Sequence, residues 1–164
     1  MQIADEGKYF ELKKEHAQCI TTGFLRLNGH TVGAVANSKK QLCHLGIRKA
    51  VKFLDFCDAF NIPVLSLTNA EGFCACMCGE KRNAKAAAKL VYAFANATVP
   101  KVNVVIGKAY GSAYNVMNSK ALGADMTFAW DSAKIGMMDA KLAAQIIADG
   151  KSEDEKKKAE EEVR

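Results

Sequence analysis

Residues 101–118 carry the sequence KVNVVIGKAYGSAYNVMN, which predicts a buried strand, a tight turn and a helix in succession. The apolar run at 102–106 is too short for a helix and suits a strand covered on both faces. Gly107 marks a turn over 107–110, and a helix is predicted over 111–121. Helices that follow buried strands pack onto the faces of a largely parallel sheet, so this stretch indicates an α/β fold.

The flanking sequence continues the alternation of strands and helices. Residues 24–36 form two apolar runs around Asn28-Gly29, the strongest short signal for a β-hairpin. On the helix predicted over 47–60, Lys49 falls opposite the apolar side and is therefore predicted to face solvent. Residues 69–79 are predicted to form a loop of small residues. The other predicted elements are helices over 47–60, 80–97 and 140–148 and strands over 64–67, 126–130 and 134–138.

The composition is that of one globular domain. The chain has 164 residues, of which 49% are hydrophobic and 25% charged, enough for a real core. We expect this domain to span 1–150, with a charged tail over 151–164. No apolar run is long enough to cross a bilayer and the start does not resemble a signal peptide. These features predict a cytoplasmic protein whose six cysteines are reduced.

The net charge argues against nucleic acid as a partner. A charge of +5 is small, and the basic residues are dispersed along the chain. Such an excess is compatible with a phosphate-bearing ligand such as a coenzyme A moiety, although a merely soluble basic protein is the favoured interpretation.

The start of the helix predicted after residue 110 is the candidate site of chemistry. The amides of Ser112 and Ala113 fall in its first turn, where N–H groups lack internal partners and the helix dipole is positive. Gly111 lets a ligand approach the backbone closely. Together these features suit an anion, or an oxyanion that develops during a reaction. From the residues alone, a simple turn at Gly111 with a capping Ser112 is the favoured interpretation.

The remaining polar residues form no recognisable catalytic or metal-binding pattern. A C-x-C-x-C run lacks the usual zinc spacing and a second ligand cluster, so it is predicted to fill a loop. Three histidines and a stripe of three lysines are predicted to be solvated, and two carboxylates have no partner visible in sequence. No metal site is expected. These residues are Cys74, Cys76 and Cys78; His16, His30 and His44; Lys81, Lys85 and Lys89; and Asp125 and Asp139.

Four longer stretches resemble the C-terminal domain of biotin-dependent acyl-CoA carboxyltransferases. That family includes the β chains of propionyl-CoA and acetyl-CoA carboxylases and the α chains of glutaconyl-CoA and methylmalonyl-CoA decarboxylases. The resemblance covers about residues 1–150 and implies the crotonase-like fold, a spiral of ββα units. The stretches are GFLRLNGHTVGAVAN, AVKFLDFCDAFNIPVLSLTNAEGF, AAKLVYAFANATVPKVNVVIGKAYGSAYNVMNSKALGADMTFAW and AKIGMMDAKLAAQII.

The resemblance also implies roles for the segment KAYGSAYN. In the family, amides of a K-A-Y-G-G-A-Y motif form an oxyanion hole for the ureido oxygen of biotin. Those donors fall here on Ser112 and Ala113, with Gly111 as the turn. Ser112 replaces the second glycine of the motif, but it still supplies an amide. Tyr114 and Asn115 follow in the same motif, and Asn115 stands where the family lines the acyl pocket.

A second segment is implied to border the same site. The loop Asn69–Phe73 stands where the family has D-V-P-G-F, so that Gly72 and Phe73 match its last two residues and Glu71 replaces its proline. In the family the acyl-CoA is held by an N-domain and biotin by the C-domain of another subunit. The resemblance therefore implies half of an active site. It would need an N-domain subunit, an acyl-CoA and biotin on a carrier protein, in a homo- or hetero-oligomer.

Other interpretations stay open at this point. The chain is also compatible with a non-catalytic structural subunit of a carboxyltransferase ring. A stand-alone crotonase-type acyl-CoA enzyme is less favoured, because no carboxylate lies beside residues 111–113 in sequence. Neither the acyl-CoA, nor the direction of transfer, nor a membrane decarboxylase subunit as partner follows from the residues.

Overall fold

The computed structural model describes residues 3–149, which form nine strands and five α-helices. The strands are β1 Tyr9–Leu12, β2 Ile20–Leu27, β3 His30–Asn37, β4 Gln41–Leu42, β5 Val64–Ala70, β6 Gly72–Phe73, β7 Lys101–Tyr110, β8 Met126–Ala129 and β9 Lys134–Gly136. The helices are α1 His44–Ala59, α2 Met77–Glu80, α3 Asn83–Asn96, α4 Gly111–Asn115 and α5 Ala140–Ile147. The tail predicted over 151–164 lies outside the described residues, so the predicted domain boundary stays a prediction.

One large mixed sheet organises the chain. Its order is β1-β2-β3-β5-β7-β8, with β9 also paired to β7. The first three strands are antiparallel, and every pairing from β3 onward is parallel. The chain passes three times through a strand of this sheet, a second short strand and a helix: β3-β4-α1, β5-β6-α3 and β8-β9-α5. The predicted α/β class is confirmed, and the order is that of ββα units.

The predicted hairpin is formed by β2 and β3. Leu27 pairs with His30 across a two-residue turn in which Asn28 and Gly29 have φ of 50° and 81°. Both values lie in the left-handed region that a tight hairpin turn of this kind requires, which is why Asn-Gly signals it. Asp5 holds the turn from outside, since its carboxylate accepts from the N–H groups of Asn28 at 3.0 Å and Gly29 at 2.7 Å.

The structure of residues 101–118 differs from its prediction in two places. The turn over 107–110 is wrong, because β7 continues through it to Tyr110. Gly107 serves close packing there: a Cβ would lie 2.5 Å from the Asn69 Oδ1 atom. The helix over 111–121 is also too long, since α4 ends at Asn115. Asn118, with a φ of 55°, adopts the left-handed conformation that an α-helix excludes.

Helix α1 begins three residues earlier than predicted and buries two residues expected on the surface. Lys49 is 4% exposed, and its Nζ donates to the carbonyl oxygens of Lys13, His16 and Ile20 at 3.0, 3.1 and 2.9 Å. The solvent-facing prediction for Lys49 is therefore wrong, because its long side chain satisfies two carbonyls of the loop between β1 and β2 and one at the start of β2. His44 is likewise buried, whereas His16 and His30 are exposed as predicted.

The core lies between the sheet and the helix pair α1 and α3. Its largest fully buried side chains include Ile47 and Leu54 from α1 and Leu90 and Phe94 from α3. Each such side chain contributes about 1.5–3 kcal/mol by leaving water. The single helix predicted over 80–97 is replaced by the short α2 and by α3, and the predicted loop contains β6 and α2. Among residues 3–149, no helix is long and apolar enough to cross a membrane.

Candidate active site

The first turn of α4 presents backbone N–H donors beside a glycine in the left-handed conformation. Gly111 has a φ of 52°, and a Cβ there would lie 3.0 Å from the Met137 carbonyl oxygen. Glycine is therefore needed both for the left-handed conformation and for the contact with the loop before α5. Ser112 is exposed, while Ala113 is only 1% exposed and packs in the core. The amides of Ser112 and Ala113 have no acceptor inside the helix, because they belong to its first turn.

Helix α4 is shorter than predicted, and this changes which groups could bind an anion at its start. A helix of five residues has a much smaller macrodipole than the eleven-residue helix predicted from sequence. The individual N–H groups of Ser112 and Ala113 are then the agents, rather than the dipole of a long helix. Their directions are set by Gly111 and by the buried methyl group of Ala113.

The second predicted segment lies against the first. Strand β6, formed by Gly72 and Phe73, contacts α4. Gly72 has open space where a side chain would project, and Phe73 is partly buried. On α4, Asn115 is exposed and Tyr114 is partly buried. All seven residues predicted for the site therefore lie on two adjacent segments.

An ion-pair network beside α4 was not predicted. Lys108 Nζ lies 3.0 Å from Asp139 Oδ2 and 3.2 Å from Glu71 Oε1. Lys40 Nζ lies 3.2 Å from the same Glu71 oxygen, and the Tyr110 hydroxyl lies 3.4 Å from Asp139 Oδ2. The network ties the end of β7 to the residue before β6 and to the start of α5. It thus joins the three segments that surround Gly111.

Two asparagines hold the backbone that leads into this network. Asn69 lies at an irregularity in the pairing of β5 with β7, and its Oδ1 accepts from the Lys108 N–H at 2.9 Å. The Asn69 N–H donates to Asn37 Oδ1 at 2.7 Å, and the Asn37 side-chain amide donates back to the Asn69 carbonyl. Side chains thus replace the ladder hydrogen bonds that the irregularity interrupts. The segment before Gly111 is therefore anchored to β5 and, through Asn69, to β3.

The charges of the network shift the pKa values of its members. Hydrogen bonds to Asp139 and then to Glu71 raise the pKa of Lys108. The hydrogen bond from Lys108, followed by that from the Lys141 amide, lowers the pKa of Asp139. For Glu71, partial burial raises the pKa, but hydrogen bonds from Lys108 and Lys40 outweigh it and the pKa is lowered. Lys108, Asp139 and Glu71 are therefore all charged near neutral pH.

The fold gives partners to both carboxylates that have none visible in sequence. Asp139 is paired with Lys108, and the Asp125 carboxylate accepts from the Lys101 N–H at 2.7 Å. Carboxylates do lie near residues 111–113, contrary to their separation in sequence. Because their pKa values are lowered, Glu71 and Asp139 are weak bases and suit positioning better than proton abstraction. Among residues 3–149, no three His, Cys, Asp or Glu side chains are grouped to hold a metal ion.

Only Asp139 had a signal in the sequence that could have marked it. It directly precedes α5, and its side chain accepts from the Lys141 N–H at 3.1 Å, as an N-cap aspartate does. The pairing of Asp139 with Lys108 spans 31 positions and depends on β9 lying beside β7. Glu71 appeared in sequence only as a departure from the family pattern.

Comparison with known proteins assigns the chain to a family. The carboxyl transferase domain family matches residues 1–164. This chain belongs to the carboxyl transferase family. The propionyl-CoA carboxylase beta chain of Cereibacter sphaeroides is 47% identical over 152 residues, which cover 90% of this chain and 30% of that protein. The mitochondrial propionyl-CoA carboxylase beta chain of Homo sapiens is 45% identical over 163 residues, covering 96% and 30%.

Solved structures of carboxyl transferases show the same fold. The transcarboxylase 12S structure, described as a hexamer assembly with hydrolysed methylmalonyl-coenzyme A bound, matches with a TM-score of 0.92 at 40% identity. That match covers 98% of this chain and 33% of that one. The beta subunit of geranyl-CoA carboxylase from P. aeruginosa matches with a TM-score of 0.87 at 28% identity, over 98% and 33%. The crotonase-like fold is thereby confirmed. The chain spans about a third of the length of these relatives.

Removal of Lys108 is expected to release the carboxylates of the network. In Lys108→Met the pKa values of Asp139 and Glu71 should both rise towards 3.8 and 4.5, because each loses a paired cation. Lys40→Met is the matched control and should raise the pKa of Glu71 alone. Carboxyl ¹³C chemical shifts followed during a pH titration measure both groups. If Lys108→Met left the two pKa values in place, the network would not hold in solution.

The same pairs predict a loss of stability at acid pH. A carboxyl group whose pKa is lower in the folded state stabilises the fold above its unfolded pKa, and this stabilisation disappears as pH falls through the folded value. For Asp139 and Glu71 the loss thus begins below about pH 4–5. In Lys108→Met the part of this stabilisation that Lys108 supplies is absent at every pH, while Lys40 still pairs with Glu71.

Proposed function

We propose that this chain is the biotin-facing half of a biotin-dependent acyl-CoA carboxyltransferase. It would move a carboxyl group between biotin and an acyl-CoA, in either direction. The observation that carries the proposal is the family match over residues 1–164, with propionyl-CoA carboxylase beta chains 45–47% identical to it. The hydrolysed methylmalonyl-coenzyme A described as bound to transcarboxylase supports an acyl-CoA as the second substrate.

The donors at the start of α4 fit the ureido group of biotin. Its carbonyl oxygen accepts hydrogen bonds, and the amides of Ser112 and Ala113 are uncharged donors with no acceptor inside the helix. When bound, biotin carries the carboxyl group that is transferred. The two amides would donate to the ureido oxygen, where negative charge develops as the carboxyl group leaves. Donors held in place before the reaction stabilise such charge without a cost of reorganisation.

The ion-pair network would act by positioning these amides. Lys108 is joined by Asp139 to the loop whose Met137 carbonyl contacts Gly111, and by Glu71 to the strand that contains Gly72 and Phe73. A shift of about 1 Å at a catalytic group is enough to cost about 10²-fold in rate. We infer that Gly72 and Phe73 border the space for biotin and the acyl group. Tyr114 and Asn115 would line it from α4.

An exposed apolar surface supports assembly with further subunits. Phe128 on β8, Trp130 just after it, Ile135 on β9, and Leu142 and Ile146 on α5 are each at least half exposed. Large apolar side chains left exposed in this number favour burial against another protein surface. We propose that an N-domain subunit supplies the acyl-CoA site and that biotin arrives on a carrier protein, within a cytoplasmic oligomer. The hexamer described for transcarboxylase supports the oligomer.

Reconstitution tests the proposal. The chain is combined with the N-terminal part of a propionyl-CoA carboxylase beta chain and a biotinylated carrier, and transfer of ¹⁴C from carboxyl-labelled methylmalonyl-CoA to the carrier is measured. We expect transfer only when all three polypeptides are present, and none with the unbiotinylated carrier. Association without transfer would instead identify a structural subunit. Turnover of the acyl-CoA by the isolated chain without biotin would identify a stand-alone enzyme.

A further inference from the structure

Two cysteines at the start of α2 have adjoining sulfur atoms. Cys76 Sγ and Cys78 Sγ lie 3.2 Å apart. An approach of about 1.2 Å would bring them to the bonded length of about 2.05 Å in a disulfide. Helix α2 has only four residues, so the backbone adjustment that closes such a ring is confined to a short segment. The predicted role of loop filling does not account for two adjoining thiols at a partly open position.

Cys76 and Cys78 are more exposed to solvent than the cysteines of the core. Cys78 is exposed and Cys76 is partly exposed, whereas Cys19 and Cys57 are buried. Burial raises the pKa of Cys19 to about 11 and that of Cys57 to about 12, which suppresses their reactive thiolates. The chain therefore contains unreactive internal controls for the exposed pair.

The surroundings of Cys76 favour its thiolate. The side chain of Cys78, then that of Cys74 and the Gly79 amide, donate to its sulfur and lower the pKa of Cys76. The Gly79 N–H lies 3.2 Å from Cys76 Sγ. For Cys78, the hydrogen bond with Cys76 raises the pKa. The positive charge of Arg82 lowers it by less, so the pKa of Cys78 is raised overall. Cys76 is thus the attacking sulfur, and Cys78 is the partner that follows.

We propose that Cys76 and Cys78 form a reversible oxidation site that hydroperoxides convert into a disulfide. The Cys76 thiolate attacks one oxygen of hydrogen peroxide, the O–O bond breaks, and the departing hydroxide takes up a proton to leave as water. Cys76 is then a sulfenic acid. The Cys78 sulfur attacks it, the S–O bond breaks, and the hydroxyl leaves as water with the Cys78 proton. Two thiols and one peroxide give one disulfide and two water molecules, and a dithiol reductant reverses the change.

Peptide mapping of the intact chain tests this site. The protein is treated with hydrogen peroxide, alkylated and digested, and each cysteine is assigned by fragment masses. We expect a loss of two hydrogen atoms, with Cys76 and Cys78 protected from alkylation, Cys74 alkylated, and oxidation at least about tenfold faster than at Cys57. Dithiothreitol should restore both thiols.

Two variants separate the attacking sulfur from its partner. Cys78→Ser should accumulate a dimedone-reactive sulfenic acid at Cys76, and Cys74→Ser should still form the disulfide. Both replacements are small and lie at partly or fully exposed positions, so the fold should persist. Pairing of Cys74 with Cys76, dimedone labelling of Cys78 rather than Cys76, or oxidation no faster than at Cys57 would each overturn the proposal.

Discussion

Ser112→Pro is expected to lower the rate of carboxyl transfer by about 10²–10³-fold, whereas Ser112→Ala should retain most of the activity. Proline removes the N–H that we propose donates to the ureido oxygen, and alanine keeps it. Ser112 is exposed and lies in the first turn of α4, where a helix accepts proline without losing an internal hydrogen bond. The loss should fall mainly on kcat, because the donor acts on charge that develops during the reaction.

The measurement uses the reconstituted complex and varies free biotin. Circular dichroism and thermal unfolding of both variants show whether the fold is retained. A folded Ser112→Pro protein with an unchanged kcat would exclude the Ser112 amide as a donor. An equal loss in Ser112→Ala would assign the effect to the hydroxyl group instead.

Ala113 requires a different replacement. Ala113→Pro should abolish transfer as well, but Ala113 is only 1% exposed and packs in the core. A proline ring there adds volume to a close-packed interior, which costs about 1–3 kcal/mol by itself. Replacement of the Ala113 amide by an ester, through incorporation of lactic acid, removes the N–H without added volume. We expect this ester to lower kcat as strongly as Ser112→Pro.

The parts of the fold that local sequence determines were predictable. Asn28-Gly29 specifies its hairpin because both residues accept a positive φ, as the turn requires. The buried strands β5 and β7 are visible as apolar runs. The end of β7 was not predictable, because Gly107 has the sequence signature of a turn residue, and its close approach to Asn69 of β5 is visible only in the fold. A glycine needed for close approach and a glycine needed for a turn look identical in sequence.

The candidate site divides in the same way. Gly111, Ser112 and Ala113 were located from their own neighbours in the chain, and the contact of α4 with β6 agrees with the family pattern. The link from Lys108 to Asp139 and Glu71 arises only when β9 lies beside β7 and the chain turns into β6. Charged side chains far apart in sequence have no local signature that distinguishes a partner from a solvated surface.

Lys101→Met is expected to lower the free energy of unfolding by about 2–4 kcal/mol, the largest effect on stability that we predict. Lys101 is 6% exposed, and its Nζ donates to the carbonyl oxygens of Phe94 and Ala97, both at 2.8 Å. These carbonyls lie at the carboxyl end of α3, where a helix lacks internal donors. Methionine preserves much of the volume but leaves both acceptors buried and unsatisfied. Urea unfolding followed by circular dichroism measures the change.

Lys49→Met should cost less, about 1–3 kcal/mol, although Lys49 makes three hydrogen bonds. Two of its acceptors belong to Lys13 and His16, which are exposed, so water can replace the lost donor there. Lys85→Met on the exposed face of α3 is the matched control and should change stability by less than about 0.5 kcal/mol. The expected order is therefore Lys101, Lys49, Lys85. A Lys101→Met variant as stable as Lys85→Met would contradict this order. The Lys101 ammonium group would then gain no more from the helix carbonyls than it loses on leaving water, and the end of α3 would need another source of stability.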